Sequence, residues 1–311
     1  MIELVITKLT VAADDVVALH LSAPDGHSLP SWQPGAHIDL VLPTGIERQY
    51  SLCGDPANDQ EWRIAVLREP DGRGGSRYVH EALHAGDTVQ ARGPRNHFSL
   101  IPSRRYLFIA GGIGITPILP MLTEASEAGR DWRLTYGGRR GPSMAFVDEL
   151  AVHGSRVTFW PQDSHGLIPL SELLGEPDPE LAVYCCGPEP LIAAVESQMV
   201  HWPTGCLHVE RFRPQEIPDS GADTAFEVYL SYSDLTLTVD AGQSIVEAVE
   251  AAGVEVITSC REGICGTCET PVLEGIPEHR DSVLTAEERA GNTVMMICCG
   301  RARTPRLVLD L

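Results

Sequence analysis

Short hydrophobic runs separated by turn-forming residues make up the first hundred positions of the chain. The clearest runs cover residues 16–21, 37–42 and 62–67. Pro-Asp-Gly and Pro-Thr-Gly tripeptides, which favour tight turns, lie between or after these runs. Short strands joined by such turns predict a small antiparallel barrel over residues 1–101, with one short helix after Gly75.

The pattern changes near residue 102 to buried strands that alternate with helices. Strands are expected at residues 105–110, 132–136, 157–160 and 181–185, and helices at residues 118–128 and 190–200. This alternation predicts a parallel α/β sheet over residues 102–213.

A third pattern begins after a polar stretch. Residues 214–225 contain Pro, Asp and Gly without an apolar period, and they predict a linker. The remaining elements are a hairpin at residues 226–232 and 235–239, a helix at residues 244–252, and strands at residues 294–297 and 306–309. The whole pattern predicts a multidomain fold of α/β and β type.

Length and charge narrow the class of protein. At 311 residues the chain is long enough for two or three domains. Its formal net charge of −20 argues against nucleic acid or an anionic membrane surface as a partner, since both bind clustered Lys and Arg. The charge fits docking to a basic patch on another protein, or it serves solubility alone. Because the first residues lack a signal-peptide pattern and no apolar run approaches the ~20 residues of a membrane span, a cytoplasmic location is expected.

The nine cysteines cluster towards the end of the chain, and four of them have the spacing of iron ligands. Cys260, Cys265 and Cys268 follow the pattern C-x4-C-x2-C, and Cys298 lies 30 positions further on. This is the plant-type [2Fe–2S] arrangement, in which four thiolates hold two irons. A structural zinc ion usually takes its ligands as two close pairs, which fits this spacing poorly. Cysteines buried without any metal are the remaining interpretation.

Two glycines and a further cysteine belong to the same loop. Gly263 and Gly266 allow the backbone to wrap closely and to aim N–H groups at sulfur, which tunes the reduction potential of a cluster. Cys299 adjoins Cys298, so the identity of the fourth ligand is ambiguous. The segment resembles plant-type ferredoxins, whose usual spacing selects Cys298 and leaves Cys299 for packing.

A short motif in the barrel resembles the R-x-Y-S motif of the ferredoxin-NADP reductase superfamily. It consists of Arg48, Gln49, Tyr50 and Ser51. The resemblance implies that Tyr50 lies against the isoalloxazine ring of a flavin, that Ser51 hydrogen-bonds near its reactive nitrogen, and that Arg48 meets its phosphate. An aromatic plane, a hydroxyl and a cation suit these tasks. The alternative is an ordinary strand with one exposed arginine.

A glycine-rich turn opens the short helix of the barrel. It contains Arg73, Gly74, Gly75 and Ser76. Backbone N–H groups and a hydroxyl at the N-terminus of a helix form an anion site, which fits the terminal phosphate of FMN with help from Arg73 or Arg77. The alternative is a plain turn with an N-cap serine.

A second glycine turn lies between the first strand and the first helix of the α/β region. It contains Gly111, Gly112, Gly114, Thr116 and Pro117. Glycines at this place let a dinucleotide pyrophosphate approach the N-terminus of the helix. The turn differs from the G-x-G-x-x-G fingerprint and resembles the G-G-x-G-x-T-P turn of the same superfamily, where the threonine lies near the nicotinamide.

Cys186, Gly187 and Pro188 end a later strand and resemble the C-G-P segment of that superfamily. The resemblance implies that Cys186 adjoins the nicotinamide, so the residues expected at the reacting atoms are Ser51, Thr116 and Cys186. A small buried residue at a strand end is the alternative for Cys186. Because no base adjoins it in the sequence, no nucleophile is proposed.

The order of these motifs over the whole chain resembles the phthalate dioxygenase reductase family, which includes vanillate demethylase reductases. The resemblance implies an FMN-binding β-barrel at residues 1–101, an NAD-binding α/β domain at residues 102–213, and a [2Fe–2S] ferredoxin domain of β-grasp type at residues 226–311. It further implies FMN rather than FAD, NADH as donor, and a Rieske non-haem iron oxygenase as electron acceptor.

Two further residues take expected roles from this resemblance. Phe212 corresponds to an aromatic residue that shields the flavin ring in related reductases, or it packs in a core. Arg139 or Arg140 lies near the expected adenosine ribose, where a guanidinium could hold the 2′-phosphate of NADPH. Either arginine could equally cap the turn or face solvent, and the family resemblance favours NADH.

The combined motifs predict an NADH-dependent reductase component of a two-component Rieske oxygenase. A nicotinamide gives up two electrons as hydride, a cluster accepts one at a time, and a flavin exchanges both. A second hypothesis keeps the same electron path and serves another acceptor, such as a cytochrome P450. A third is a redox-sensing binding protein with little turnover, which the complete set of nicotinamide and flavin motifs disfavours.

Overall fold

The computed structural model describes residues 1–70, 72–214 and 223–311, which form two compact units, Met1–Glu210 and Arg211–Leu311. The first unit contains both the barrel and the α/β sheet. The boundary expected between them at residue 101 therefore stays a prediction, as do the other domain limits.

The first sheet is a closed antiparallel barrel. Its elements are β1 (Ile2–Ala13), β2 (Val16–Ser22), β3 (His37–Val41), β4 (Glu47–Ser51), β5 (Trp62–Leu67), α1 (Gly75–Ala82) and β6 (Thr88–Arg95). The strand order is β4-β3-β6-β1-β2-β5. A bridge between Leu52 and Ile64 joins the two edges and closes the sheet. The predicted barrel is thereby confirmed.

Two strands of the barrel, β1 and β6, are absent from the elements expected from the sequence. In β6, Gly93 and Pro94 interrupt the apolar pattern. The structure accommodates them in a bulge, because four residues of β6, from Arg92 to Arg95, lie opposite three residues of β3, from Asp39 to His37. Such a bulge depends on the partner strand and leaves no clear local pattern.

The second sheet is parallel. Its elements are β7 (Arg105–Gly111), α2 (Ile115–Glu127), β8 (Asp131–Gly138), α3 (Val147–Ala151), β9 (Val157–Pro161), α4 (Gln162–His165), α5 (Leu170–Leu174), β10 (Leu181–Cys186), α6 (Glu189–Gln198) and β11 (Leu207–Glu210). The strand order β11-β10-β7-β8-β9 reverses direction between β7 and β10. A crevice for ligands forms at the carboxyl ends of the strands at such a switch point. The glycine turn after β7 and the C-G-P segment after β10 both lie there.

The helix expected to begin at residue 118 begins at Ile115, so that expectation was wrong at its start. Pro117 is the third residue of α2. The first N–H groups of a helix have no partner within it, so proline is tolerated in the first turn. The sequence pattern assigns Thr116 and Pro117 to the glycine turn instead.

One hydrophobic core joins the barrel to the parallel sheet. Cys53 and Phe98 from the barrel region pack in the same cluster as Phe108 and Cys186 from the sheet. The Tyr184 hydroxyl accepts a hydrogen bond from the Ile101 N–H at 2.7 Å and donates to the Ser99 carbonyl at 2.9 Å. This shared core explains why Met1–Glu210 is a single compact unit.

The second unit has the predicted ferredoxin fold. Its elements are β12 (Phe226–Leu230), β13 (Leu235–Val239), α7 (Ile245–Ala251), β14 (Glu269–Glu274), β15 (Pro277–Glu278), α8 (Ala286–Gly291), β16 (Val294–Met296), β17 (Arg301–Ala302) and β18 (Arg306–Leu309). The mixed sheet has the order β13-β12-β18-β14-β16, with β12 and β18 parallel. Ile245 and Val249 of α7 pack on its core. Ser244 caps α7 and accepts a hydrogen bond from the Glu247 N–H.

The expected linker can be followed only in part, since residues 215–222 lie outside the described residues. Its last residues belong with the ferredoxin fold. Asp223 pairs with Arg280 at 2.7 Å, and the Thr224 carbonyl accepts a hydrogen bond from Arg301 at 3.0 Å.

Candidate functional site

Arg48 and the glycine turn before α1 meet in the structure, although they are far apart in sequence. Arg48 Nη2 donates to the Arg73 carbonyl oxygen at 3.4 Å. A Cβ on Gly75 would lie 2.9 Å from Arg48 Cγ, so only glycine lets the arginine stem cross the turn. Gly74, with φ +85°, is the N-cap residue of α1, and no side chain of the described residues caps this helix. Free first-turn N–H groups beside a guanidinium fit the phosphate of FMN.

The side chains of the other residues in this turn have less direct roles in the predicted phosphate site. The Ser76 hydroxyl accepts a hydrogen bond from the Glu69 N–H at 3.0 Å, and Gly74 rather than Ser76 occupies the N-cap. The side chains of Arg73 and Arg77 are both exposed. The predicted phosphate site would therefore consist of backbone N–H groups and Arg48, with the two exposed arginines beside it.

Strand alternation divides the R-x-Y-S motif between two faces of β4. Arg48 and Tyr50 share one face, and Tyr50 packs partly against the barrel core. Burial raises the pKa of Tyr50 to about 12, against the lowering effect of Arg48, so the phenol stays neutral. Its ring thus lies on the face of β4 that also carries Arg48, the arginine expected to meet the flavin phosphate.

The opposite face of β4 carries the other two residues of the motif. Gln49 Nε2 donates to Oδ1 of the fully buried Asp39 at 2.9 Å, and Asp39 also pairs with Arg95. Ser51 is buried and lies opposite His37 on β3. Gln49, which was expected to bind cofactor, is therefore engaged with Asp39 and holds β4 in place.

The two predicted nicotinamide segments interlock at the switch point between β7 and β10. A Cβ on Gly114 would lie 2.3 Å from the Cys186 carbonyl oxygen, and one on Gly111 would lie 2.7 Å from Pro188 Cδ. A Cβ on Gly187 would lie 3.0 Å from Gly111 Cα. These three glycines allow the two turns to pack together. Gly112, with φ +55°, instead faces open space, which is where a dinucleotide could approach.

Thr116 and Pro117 are buried in the first turn of α2. The Thr116 hydroxyl donates to the Ile113 carbonyl at 2.9 Å. Thr116 thus lies at the crevice. Its hydroxyl stabilises the glycine turn, because the hydrogen bond joins the turn to the first turn of α2.

The structure adds Glu210 to the site. Cys186 and Glu210 face each other in the register of β10 and β11, and the Cys186 Sγ lies 3.9 Å from Glu210 Oε2. Burial raises the pKa of Cys186 well above its usual range, with further contributions from Glu210 and Cys185, so the thiol is neutral. Burial also raises the pKa of Glu210 to about 8, although the contact with Cys186 lowers it. A carboxyl group that titrates near neutral pH therefore adjoins the predicted nicotinamide residue.

Glu210 is expected to make the stability of the first unit depend on pH. Its pKa lies above the ordinary value of 4.5 in the folded state, so the folded state binds more protons between about pH 4.5 and pH 8. The free energy of unfolding should fall as pH rises through this window, and the Glu210→Gln variant should lose this part of the fall. Denaturant unfolding followed by tryptophan fluorescence measures the free energy of unfolding at each pH. The signal reports on the first unit, since all five tryptophans lie before residue 211.

The matched control for Glu210→Gln is Glu127→Gln, which changes an exposed glutamate at the end of α2. This variant should keep the pH dependence of the wild type. Identical pH profiles for the wild type and Glu210→Gln would contradict the raised pKa of Glu210.

The four predicted cluster ligands come together in the second unit. The Cys260 thiol, together with burial, raises the pKa of Cys265, and the Cys298 thiol lowers the pKa of Cys268. Cys298 is also within hydrogen-bonding reach of Cys260. The Glu262 N–H donates to Cys260 Sγ at 3.3 Å, as expected for backbone that stabilises a thiolate. The arrangement fits a [2Fe–2S] cluster, which requires four convergent sulfurs.

Glycines shape this loop, and the packing of one of them assigns a place to Cys299. Gly263 and Gly266 have φ +73° and +70°. A Cβ on Gly263 would lie 2.5 Å from Cys299 Sγ and 3.0 Å from Asp281 Cα. Cys299 thus packs against the loop backbone, which supports Cys298 as the fourth ligand.

Within residues 1–70, 72–214 and 223–311, no group of three or more His, Cys, Asp or Glu side chains is arranged to hold a single metal ion. A [2Fe–2S] cluster has two irons with two thiolates each, so its ligands need no such group.

The last two predicted binding positions are less closely defined. Phe212 belongs to the second unit, where its side chain is 37% exposed, and its expected contact with the flavin stays a prediction. Arg140 Nη2 lies 3.4 Å from Asp14 Oδ2, and this contact engages it with the barrel. Arg139 is exposed, and its carbonyl accepts a hydrogen bond from the Asp163 N–H at 3.2 Å. Arg139 is therefore the better candidate beside the adenosine ribose.

Three features of the structure are typical of an electron-transfer oxidoreductase of the ferredoxin-reductase type. They are the predicted anion site in a closed barrel, the glycine-lined crevice at the switch point and the plant-type cysteine loop. Comparison with known proteins supports this class. Residues 228–303 match the family model described as a 2Fe-2S iron-sulfur cluster binding domain.

Two relatives span the whole chain. Phenoxybenzoate dioxygenase subunit beta of Ectopseudomonas oleovorans is 41% identical over 100% of this chain and 97% of its own. Vanillate O-demethylase oxidoreductase of Pseudomonas putida is 39% identical over 100% of both chains. The protein belongs to the family of oxygenase reductases that contains these enzymes and phthalate dioxygenase reductase.

Two solved structures share the fold. Phthalate dioxygenase reductase, described as modular for electron transfer from pyridine nucleotides to [2Fe–2S], is 35% identical with a TM-score of 0.72, covering 100% of this chain and 98% of that one. An intact type IV self-sufficient cytochrome P450 monooxygenase is 43% identical with a TM-score of 0.94 over 99% of this chain. This chain spans 41% of the length of that P450 protein.

These findings confirm the predicted family, fold class and oxidoreductase activity, and the family model confirms the predicted [2Fe–2S] domain. FMN as the flavin is taken up as part of the proposed function. The individual flavin, nicotinamide and cluster residues stay predictions that the geometry above supports. No helix among the described residues is both long enough and apolar enough to cross a membrane. The cytoplasmic location stays a prediction.

Proposed function

We propose that this protein is the NADH-dependent reductase of a two-component Rieske non-haem iron oxygenase. Electrons would pass from NADH through FMN to the [2Fe–2S] cluster and on to the oxygenase. The observation that carries the proposal is the presence of all three sites in one chain that oxygenase reductases match from end to end.

When bound, FMN would supply the exchange between hydride transfer and single-electron transfer. Arg48 and the N-terminus of α1 would hold the flavin phosphate, and the crevice between β7 and β10 would receive the nicotinamide. The neutral, buried Cys186 would line that crevice, and the four cysteine thiolates would hold the cluster.

NADH is the proposed donor because of the charges around the expected ribose site. The loops after β8 and β9 are joined through the Asp163 N–H and the Arg139 carbonyl. A carboxylate such as that of Asp163 accepts hydrogen bonds from a ribose diol and repels a 2′-phosphate. Since Arg140 pairs with Asp14, only one arginine of this pair could favour NADPH. A kcat/KM for NADPH that equals or exceeds that for NADH would contradict this choice of donor.

The Arg48→Ala variant is expected to release FMN more readily than the wild type. A charge-assisted hydrogen bond contributes about 1.5–3 kcal/mol, so FMN affinity should fall roughly ten- to hundredfold. The FMN content after extensive dialysis measures the effect. Arg104→Ala is the matched control, because Arg104 forms an exposed pair with Glu180 outside the barrel. Equal FMN content in all three proteins would refute the role of Arg48.

A second acceptor, a cytochrome P450, is favoured by one observation. An intact self-sufficient cytochrome P450 monooxygenase is 43% identical to this chain, which matches 41% of its length, so this chain is as similar to part of a P450 protein as it is to the oxygenase reductases. The electron path up to the cluster is the same in both proposals. They differ only in the protein that takes up the single electrons.

An anaerobic titration with NADH, followed by acceptor assays, tests the proposal. Bleaching of both flavin and [2Fe–2S] absorbance, with FMN released on denaturation, is the expected result. Flavin reduction without a cluster response would contradict the electron path. Steady NADH-dependent reduction of cytochrome c would eliminate a sensor with little turnover. NADH-dependent turnover of a purified Rieske oxygenase, without turnover of a P450, is expected, and the reverse would favour the second acceptor.

A further inference from the structure

One arginine joins the flavin-binding strand to the nicotinamide-binding half of the first unit. Arg63 lies on β5 of the barrel and makes a two-point ion pair with Glu149 of α3. Nη1 donates to Glu149 Oε2 at 3.0 Å, and Nη2 donates to Glu149 Oε1 at 2.9 Å. This paired geometry is the strongest form of an arginine–carboxylate contact, and it fixes orientation as well as distance.

The same guanidinium also holds the chain just after the R-x-Y-S motif. Nε and Nη2 donate to the Cys53 carbonyl at 3.1 and 2.5 Å. The Cys53 N–H donates to the Arg63 carbonyl at 2.8 Å. Because Cys53 is two residues after Ser51, Arg63 defines where the flavin-binding strand ends. The Cys53 side chain is fully buried in the core cluster that also contains Cys186.

Phe146 completes the contact from the side of the nicotinamide-binding half. Its ring centroid lies 5.0 Å from the Arg63 Cζ, which is a cation–π contact. Phe146 adopts φ +62°, a left-handed conformation that is rare for a large side chain. Strain of this kind persists where the surroundings enforce it, and it often marks functional positions. Here it places the aromatic ring against Arg63 at the start of α3.

The ion pair crosses the boundary between the two halves. Grooves of about 740 and 300 Å³ lie on either side, and His20, Arg63 and Glu149 line both. The shared hydrophobic core reaches this part of the boundary, since Ala65 of β5 and Leu150 of α3 both belong to it. Arg63 therefore adds a contact of defined orientation to the packing that joins the barrel to α3.

We propose that Arg63 is a positioning residue for hydride transfer, which sets the distance and angle between the flavin and the nicotinamide. The inference rests on the proposed function, because it concerns the transfer step of that electron path. Arg63 itself does not touch the reacting atoms. It acts through Cys53 on the flavin side and through Glu149 and Phe146 on the nicotinamide side. Hydride transfer is sensitive to such placement, since a displacement of about 1 Å can slow a reaction roughly a hundredfold.

The test compares Arg63→Lys, Glu149→Gln and the double variant with the wild type. Lysine keeps the charge but cannot make the two-point contact with Glu149 while holding the Cys53 carbonyl. Stopped-flow mixing with NADH gives the limiting rate of flavin reduction, and the long-wavelength charge-transfer absorbance reports the stacking of nicotinamide on flavin. FMN content, thermal unfolding and the rate of reduction by dithionite are measured on the same samples.

Arg63→Lys is expected to slow flavin reduction by NADH at least about tenfold and to weaken the charge-transfer absorbance. FMN content and dithionite reduction should stay at wild-type values. The double variant should be no slower than Arg63→Lys, because both changes remove the same contact. Arg104→Lys, which alters an exposed ion pair outside the boundary, should stay within about twofold of the wild type.

Two results would overturn the proposal. One is a rate of flavin reduction within about twofold of the wild type in both single variants. The other is a slowing that is matched by equal losses of FMN and of dithionite reduction, which indicates only a structural role. Failure of the proposed function is recognised separately, because the wild-type protein itself would then not be reduced by NADH.

Discussion

The Cys265→Ser variant is expected to lose the [2Fe–2S] cluster and to keep NADH-driven reduction of its flavin. Cys265 is buried and interacts directly with Cys260, so a hydroxyl at this place removes one of four thiolates from a closed loop. The proposed flavin and nicotinamide sites lie in the first unit, Met1–Glu210, which has its own cores. The cluster absorbance, the electron paramagnetic resonance signal after dithionite reduction and the iron content measure the loss.

Cys299→Ser is the matched control for this prediction. Cys299 packs against Gly263 and is the neighbour of a ligand in sequence, so the cluster should remain when its thiol becomes a hydroxyl. A normal cluster spectrum in Cys265→Ser would show that the ligand assignment is wrong. Loss of the cluster in Cys299→Ser but not in Cys298→Ser would exchange the roles of these two cysteines.

The Gly114→Ala variant is expected to lose most NADH-driven reduction of the flavin. The new Cβ would lie 2.3 Å from the Cys186 carbonyl oxygen and 2.7 Å from the Gly187 nitrogen, both of which are backbone atoms. The turn after β7 and the turn after β10 must then move apart, which opens the crevice at the switch point. We expect flavin reduction to slow about a hundredfold and the first unit to lose about 1–3 kcal/mol of stability.

Gly141→Ala serves as its control, because a Cβ there would meet nothing within 4 Å. Dithionite should still reduce the flavin and the cluster in Gly114→Ala, since that reaction needs no nicotinamide site. Wild-type kinetics with NADH in Gly114→Ala would mean that the interlocked turns do not form the nicotinamide site.

The sequence could propose the cluster ligands because most of their arrangement is local. Three of the four thiolates come from one loop of nine residues, from Cys260 to Cys268, so their spacing alone restricts the metal group. The fourth ligand comes from a distant segment. The spacing of the cysteines left a choice between Cys298 and Cys299 for this ligand. The packing of Cys299 against Gly263 supports Cys298.

The reason for the glycines in the nicotinamide turns, by contrast, could not be predicted from local sequence. The sequence indicated that glycines are needed at positions 111, 112 and 114, and the reason given was the approach of a pyrophosphate. In the structure Gly111 and Gly114 are needed because a second turn, at Gly187 and Pro188, packs against them. That reason depends on β7 and β10 being neighbours, which is a property of the sheet order.

The order of the three proposed sites, the cysteine loop and the flavin and nicotinamide motifs could be inferred from sequence, because each depends on residues close together in the chain. The contacts between Arg48 and Gly75, between Glu210 and Cys186, and between Arg63 and Glu149 became visible only in the folded chain. These contacts depend on strand register and on packing between distant segments. Neither is encoded in a local pattern, since the same residues would give the same periodicity with any partner.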